Sequence, residues 1–303
     1  MSEDEVRDWL RRLRWPADGN VPICPSCGSE AHGWIATRQQ YRCDNSKCRH
    51  GFSVTAGTIW HDHRLPLHGI LEAAFHFSIA RSGLSALRLS ETMKLDPKVA
   101  HVTLHKFREA QARRQALLRL CGWIEIDCVF FPGSWRRPNL GRSSPATYGT
   151  RTAKAAALTL SQRDGPTIAI PVSGETKRAA LEAVSRYVVP GSTIFSDESG
   201  AFKDLHFFGK HLTVKHAVEF VSGQAHVNND ESLHSRLKAA QRGVYKRMAS
   251  GRDFDLYLAE MAFRQSLTET DTRRMCEAFL GASLQSPPSD RFKGYFQRHI
   301  LEF

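Results

Sequence analysis

The stretch Trp123-Ile-Glu-Ile-Asp-Cys-Val-Phe-Phe131 decides the reading of this 303-residue chain. It is rich in β-branched and aromatic residues and has no Gly or Pro, which predicts a strand. Asp127 lies inside it, close to Ile126 and Val129. A carboxylate among apolar strand residues is costly to bury unless it is paired or metal-bound. Downstream, 155–160 and 167–172 read as two further strands, with Arg163-Asp164-Gly165 as the turn between them. A helix over 177–188 follows, then strands at 192–196 and 211–215, then helices over 230–245 and 254–265. Three strands, a helix, a strand, then a strand and two helices is the order of an RNase H-like α/β domain, a mixed sheet with flanking helices. Residues 132–153, rich in Gly, Pro and Arg, read as a loop.

Upstream the texture differs. Between 67 and about 118 the apolar spacing is helical, and Asp96-Pro97 supplies an N-cap followed by proline at the first helical position. A short helix over 85–93, a turn and a longer helix fit a helix-turn-helix, and also fit an ordinary helical bundle. Further upstream stand Cys24-Pro-Ser-Cys27 and Cys43-Asp-Asn-Ser-Lys-Cys48, a C-x2-C-x15-C-x4-C pattern. Two close pairs separated by two short strands, 34–37 and 40–42, place four thiolates around one tetrahedral zinc, with Gly28 serving a tight turn after the first pair. Such a ribbon is structural, because four closed ligands leave no open position. Cys48 is preferred as fourth ligand over His50. Residues 52–60 read as β-rich, and His61-Asp62-His63 as a polar linker before Pro66 rather than a metal site. Cys121, Cys128 and Cys276 read as small buried hydrophobes. A helix over 4–14, with Val6, Leu10 and Leu13 on one face, ends at Pro16.

This divides the chain into an N-terminal helix (1–19), a zinc ribbon (20–60), a helical, helix-turn-helix-like segment (61–120), the α/β domain (121–270) and a C-terminal tail (271–303). Composition narrows the class. With 41% hydrophobic and 24% charged residues the chain is not disordered overall. No apolar run of 18 residues exists, so no membrane span is expected. The acidic N-terminus has no apolar signal region. With seven cysteines and no export signal, a disulfide framework is disfavoured and a cytoplasmic location expected. Lys and Arg number 42 against 31 Asp and Glu, a net charge of +11 that favours an anionic partner, nucleic acid first.

Three acids then stand out by position: Asp127 in the first strand, Asp197 just past the fourth, and Glu231 opening a helix. Converging on one sheet edge, they would bind two Mg2+ or Mn2+ ions about 3.5–4 Å apart. The spacing is equally that of a structural acid, a turn acid and a helix cap. Lys238 follows Glu231 by two helical turns and shares its face, where a cation can hold a phosphate; it is also an ordinary surface lysine position.

The motifs together resemble the bacterial insertion-sequence DDE transposases with an N-terminal zinc ribbon, the family related to the eukaryotic Merlin elements. The resemblance is carried by Cys24-Pro-Ser-Cys27-Gly28, Tyr41-Arg42-Cys43 through Cys48-Arg49, 52–61, Leu65-Pro-Leu67, Gly83-Leu-Ser-Ala86 and Phe107-Arg-Glu-Ala110 in the first part. In the second it is carried by Glu125-Ile-Asp127, 191–198, His226-Val-Asn228, Glu231-Ser232, Leu237-Lys238, Gly243-Val-Tyr245 and Phe263-Arg264. It implies that Asp127, Asp197 and Glu231 are the catalytic metal ligands. It implies also that ribbon and helical segment recognise terminal inverted repeats, and that His226 and Asn228 are accessory groups. Cys128, Val227, Asp230 and His234 depart from the family's usual acid, Thr, Ile and Trp. The implied reaction is hydrolysis of a phosphodiester at each element end, then attack of the freed 3′-hydroxyl on target DNA by a homodimer or larger synaptic complex, nucleoid-associated in the cell. The rivals are a domesticated, catalytically silent DNA-binding protein and a free-standing RNase H-like nuclease. Residues 101–155 hold ten Lys/Arg and three acids, and 233–252 hold six and none. Arg136, Arg137, Arg142, Arg242, Lys246 and Arg247 are the phosphate contacts this charge suggests, and binding through them is salt-dependent.

Overall fold

A computed structural model describes residues 1–131, 155–213, 228–268 and 270–292. The chain forms two compact units, residues 1–114 with 269–303, and residues 115–268.

In the first unit, α1 (Glu3–Arg14) opens on a capping box: the Glu5 amide donates to Ser2 Oγ at 3.2 Å, and the Ser2 amide donates to the Glu5 carboxylate at 2.6 Å. Three strands, β1 (His32–Ile35), β2 (Gln40–Cys43) and β3 (Gly51–Phe52), pair antiparallel in that order. This small sheet has few aliphatic residues to bury, and aromatic rings replace them. Tyr41 lies 5.2 Å from His32, 4.9 Å from Trp34 and 5.4 Å from Phe52 between ring centroids. Residues 53–60, expected as β-rich, are turns after Phe52. Their hydroxyls compete with a ladder: Thr58 Oγ1 donates to the Thr55 carbonyl at 2.7 Å and Ser53 Oγ bonds Thr55 Oγ1 at 3.0 Å.

Helices α2 (Leu67–Ile79), α3 (Ala86–Met93) and α4 (Pro97–Leu117) follow. Asp96 caps α4 as its sequence suggests, its carboxylate accepting from the Lys98 amide at 2.8 Å. The helix Thr272–Gln285, within the segment expected as a tail, returns to this unit. Asp271 caps it and Met275, Cys276, Phe279, Leu280, Ser283 and Leu284 are buried at helical spacing. Phe77 stacks on Phe107 at 5.5 Å and meets Phe279 at 4.8 Å, while Trp60 Nε1 donates to Ser283 Oγ at 2.8 Å. In α4, Ala100, Val102–His105 and Phe107–Gln111 are buried. Leu87, Arg88, Glu91 and Thr92 on α3 are exposed, and α4 is exposed at its two ends, at Asp96–Lys98 and again at Arg114 and Leu117.

In the second unit, β4 (Trp123–Phe131), β5 (Ala155–Gln162) and β6 (Thr167–Val172) pair antiparallel, and β7 (Thr193–Ser196) and β8 (Lys210–Thr213) add in parallel on the far side of β4. The order is β6-β5-β4-β7-β8. Helix α5 (Lys177–Tyr187) covers one face and α6 (Asn228–Arg242) with α7 (Phe254–Ser266) the other. Strand alternation divides β4 between them. Ile124, Ile126 and Cys128 pack with Ala180, Ala183 and Val184, whereas Val129 and Phe131 pack with Leu233, Leu237 and Leu258. Asp127 shares the second face by the same alternation. Among the described residues no helix is long and apolar enough to cross a membrane.

Candidate active site and zinc ribbon

The four cysteines converge. Their sulfurs all lie within 4.8 Å of one another, with Cys24 Sγ 3.8 Å from Cys48 Sγ and Cys27 Sγ 3.5 Å from Cys43 Sγ. Zinc–sulfur bonds of about 2.3 Å at tetrahedral angles imply sulfurs roughly 3.8 Å apart, so the donor set fits one zinc. Cys48, not His50, completes it. Gly28 takes the positive φ of +73° that the turn requires, its amide donating to the Cys24 carbonyl at 2.9 Å. His61 and His63 bond locally, to Gly57 and to the Leu65 carbonyl.

The acidic residues are arranged by the sheet. β4 and β7 run parallel with Trp123 opposite Thr193 and Glu125 opposite Phe195. Two residues further along each chain, Asp127 stands level with Asp197, immediately past the end of β7. Backbone amides orient both carboxylates: Cys128 N donates to Asp127 Oδ1 at 2.6 Å and Ser199 N donates to Asp197 Oδ1 at 3.0 Å. Helix α6 reaches Asp127 through His234, whose Nδ1 lies 3.5 Å from Asp127 Oδ2. Its Nε2 lies 2.9 Å from Thr159 Oγ1, on the residue paired with Asp127 across β4 and β5. Burial, and then the nearby Lys238 ammonium, lower the His234 pKa to about 4. Glu231 lies one turn before His234 and Lys238 one turn after it, both exposed. Among the described residues the three acids do not form a closed ligand set as the cysteines do. What is brought together is Asp127 with Asp197, and α6 with Asp127.

Several polar residues here make contacts that the sequence does not announce. Asp230 is buried on the sheet side of α6, accepting from Ser161 Oγ at 2.6 Å, and burial raises its pKa well above the ordinary carboxylate range. Glu125, fully buried, pairs with Arg163 at 2.9 Å, and Arg163 lies 4.2 Å over the Phe195 ring. Glu175, in the loop before α5, accepts from Ser199 Oγ. Burial first, then the Glu175, Asp127 and Asp197 carboxylates, push the Cys128 thiol up to about 12. A usable signal existed for His234, since Glu231, His234 and Lys238 recur at helical spacing. None existed for Ser161 or Glu175. Arg242, Lys246 and Arg247 are exposed. Arg136, Arg137, Arg142 and His226 lie outside the described residues, as does the side chain of Asn228.

A five-stranded mixed sheet in the order β6-β5-β4-β7-β8, antiparallel on one side of its central strand and parallel on the other, is an RNase H-like α/β domain. Residues 119–266 match the ISXO2-like transposase domain, and residues 1–51 match the transposase zinc-ribbon domain. The chain thus carries a DDE-type transposase domain behind a zinc ribbon, and matches the insertion-sequence DDE transposases in both parts. No curated protein matches it. Among solved structures it is similar to the crystal structure of the Mos1 strand transfer complex, at 10% identity over 70% of this chain and 78% of that chain, with a TM-score of 0.21. The Mos1 transposase paired-end complex with left transposon end gives 10%, 70%, 78% and 0.20.

Proposed function

We propose that the chain is a DNA transposase that cuts the ends of its element and joins them to target DNA. The observation carrying this is the parallel register of β4 on β7, which carried two residues on brings Asp127 level with Asp197 just past the end of β7, with α6 held against Asp127. Asp127, Asp197 and Glu231 offer only carboxylate oxygens, and the Asp127 side chain is 22% exposed, so the set suits hard divalent cations. In this reading they hold two Mg2+ or Mn2+ ions. When bound, such ions acidify a water or 3′-hydroxyl and stabilise the leaving oxygen.

The chain's own residues do the rest. Lys238 supplies a fixed positive charge beside the scissile phosphate. Arg242, Lys246 and Arg247 continue that positive surface along the phosphate backbone, where contacts are non-specific and salt-dependent. Within the helix-turn-helix reading, the buried body of α4 leaves α3 and the first turn of α4 to face DNA. The ribbon and these helices recognise the ends, and a homodimer or larger assembly holds two ends together in the cytoplasm, at the nucleoid.

The test is incubation with duplex DNA bearing the inverted repeats that flank the gene, a target plasmid and Mg2+. Cleavage at the repeat ends and their joining to the plasmid are expected. Binding without cleavage in Mg2+ or Mn2+ would point to a silent DNA-binding protein, and cutting indifferent to the ends to a plain nuclease.

A further inference from the structure

The imidazole of His234 sits where α6 meets the sheet, between Asp127 and Thr159, and is about one-tenth exposed. It is not one of the acids that the proposed reaction uses, and its packing role alone does not require two polar partners. An ionised carboxylate accepts hydrogen bonds and donates none, so the ring proton facing Asp127 belongs on Nδ1. Nε2 is then an acceptor, 2.9 Å from the Thr159 hydroxyl, whose proton it shares with the Asp127 carbonyl oxygen at 3.2 Å. This relay sets the tautomer and fixes the ring plane.

We propose that His234 is a positioning residue, anchored by Thr159, that holds the Asp127 carboxylate in the orientation needed to ligate a divalent cation. The inference rests on the reading of Asp127 as a metal ligand. Asp127 Oδ1 is already held by the Cys128 amide at 2.6 Å, and His234 addresses the other oxygen, Oδ2, at 3.5 Å. The Cys128 amide thus fixes Oδ1, and the His234 ring standing beside Oδ2 limits how far the carboxylate can turn. The 3.5 Å separation is longer than a formed hydrogen bond, and contacts of this kind commonly tighten when a site is loaded. The arrangement is the carboxylate counterpart of the outer partners that orient metal-bound histidines.

The test measures Mn2+ binding by the full-length protein without DNA, by electron paramagnetic resonance titration, beside the Mg2+ dependence of end cleavage. The variants are His234→Ala, His234→Asn and Thr159→Val, with Asp127→Asn as reference and thermal melting as a control for packing. His234→Ala is expected to weaken Mn2+ binding about 10–100-fold and to raise the Mg2+ needed for half-maximal cleavage in step. The maximal rate at saturating Mg2+ should change far less. His234→Asn, whose amide nitrogen occupies the Nδ1 position, should recover most of the loss, and Thr159→Val should fall between. If His234→Ala does not fold, the Asn and Val variants carry the comparison. Wild-type Mn2+ affinity in His234→Ala would overturn the proposal, as would equal loss in the Ala and Asn variants tracking a fall in melting temperature. Wild-type Mn2+ binding by Asp127→Asn would instead remove the ligand reading itself, and this inference with it.

Discussion

Asp127 stands level with Asp197 because β4 and β7 pair in parallel with Glu125 opposite Phe195, which brings residues far apart in sequence to the same height of one sheet. Both carboxylates are then oriented by main-chain amides rather than by flexible side chains. Backbone donors cost no side-chain entropy, so the orientation is built into the main chain.

Beneath this pair, the fully buried Glu125 is paired at 2.9 Å with Arg163, whose side chain is one-tenth exposed. Removing one member of such a pair strands the other charge in the interior. Arg163→Met should therefore destabilise the protein by about 3–5 kcal/mol, measured by urea unfolding. The double variant Glu125→Gln with Arg163→Met should regain much of the loss.

The zinc ribbon predicts a thiol pattern. Cys121, expected from the sequence as a small buried hydrophobe, is exposed instead, whereas burial pushes the thiols of Cys128 and Cys276 up to about 12 and about 11. At pH 8 a thiol reagent should therefore modify Cys121 quickly and the two buried thiols hardly at all. Stripping the zinc should expose four more reactive thiols and unfold the ribbon, since its small sheet depends on the ion.

His211 predicts a pH effect. It is half-buried, its Nε2 lies 2.9 Å from Ser196 Oγ, and burial, then nearby His206, lower its pKa. A histidine whose folded pKa lies below its unfolded value near 6.5 makes the unfolded state bind protons first. Its contribution to stability is complete above that value and is lost as pH falls through 6.5 toward the folded pKa. His211→Gln should flatten the decline of melting temperature in that window, and leave the curve above pH 7.5 parallel to the parent.

Most of this architecture was legible because it rests on local signals. The strand 123–131 and the strand 167–172 show themselves by composition, the start of α4 by Asp96-Pro97, and the ribbon by cysteine spacing. The helix Thr272–Gln285 lies in the segment expected as a C-terminal tail, although its buried residues keep helical spacing. Residues 53–60 misled in the opposite way, since Thr and Val favour strands by composition while the Thr hydroxyls bond their own backbone. The acids were readable as positions but not as a site, because the register that levels Asp127 with Asp197 is a long-range property of pairing. The contacts of His234, Asp230 and Glu175 depend on that register too, and no local pattern encodes them.

The most direct measurement is the rate of Mg2+-dependent cleavage at the flanking inverted repeats by the wild type, Asp127→Asn and Asp197→Asn, with DNA binding and melting temperature followed in parallel. Losing a ligand to ions that supply several kcal/mol of transition-state stabilisation should slow cleavage by about a thousandfold or more in each variant, while binding and melting stay near the parent values. Cleavage by either variant at the wild-type rate would contradict the assignment of this pair as the catalytic centre.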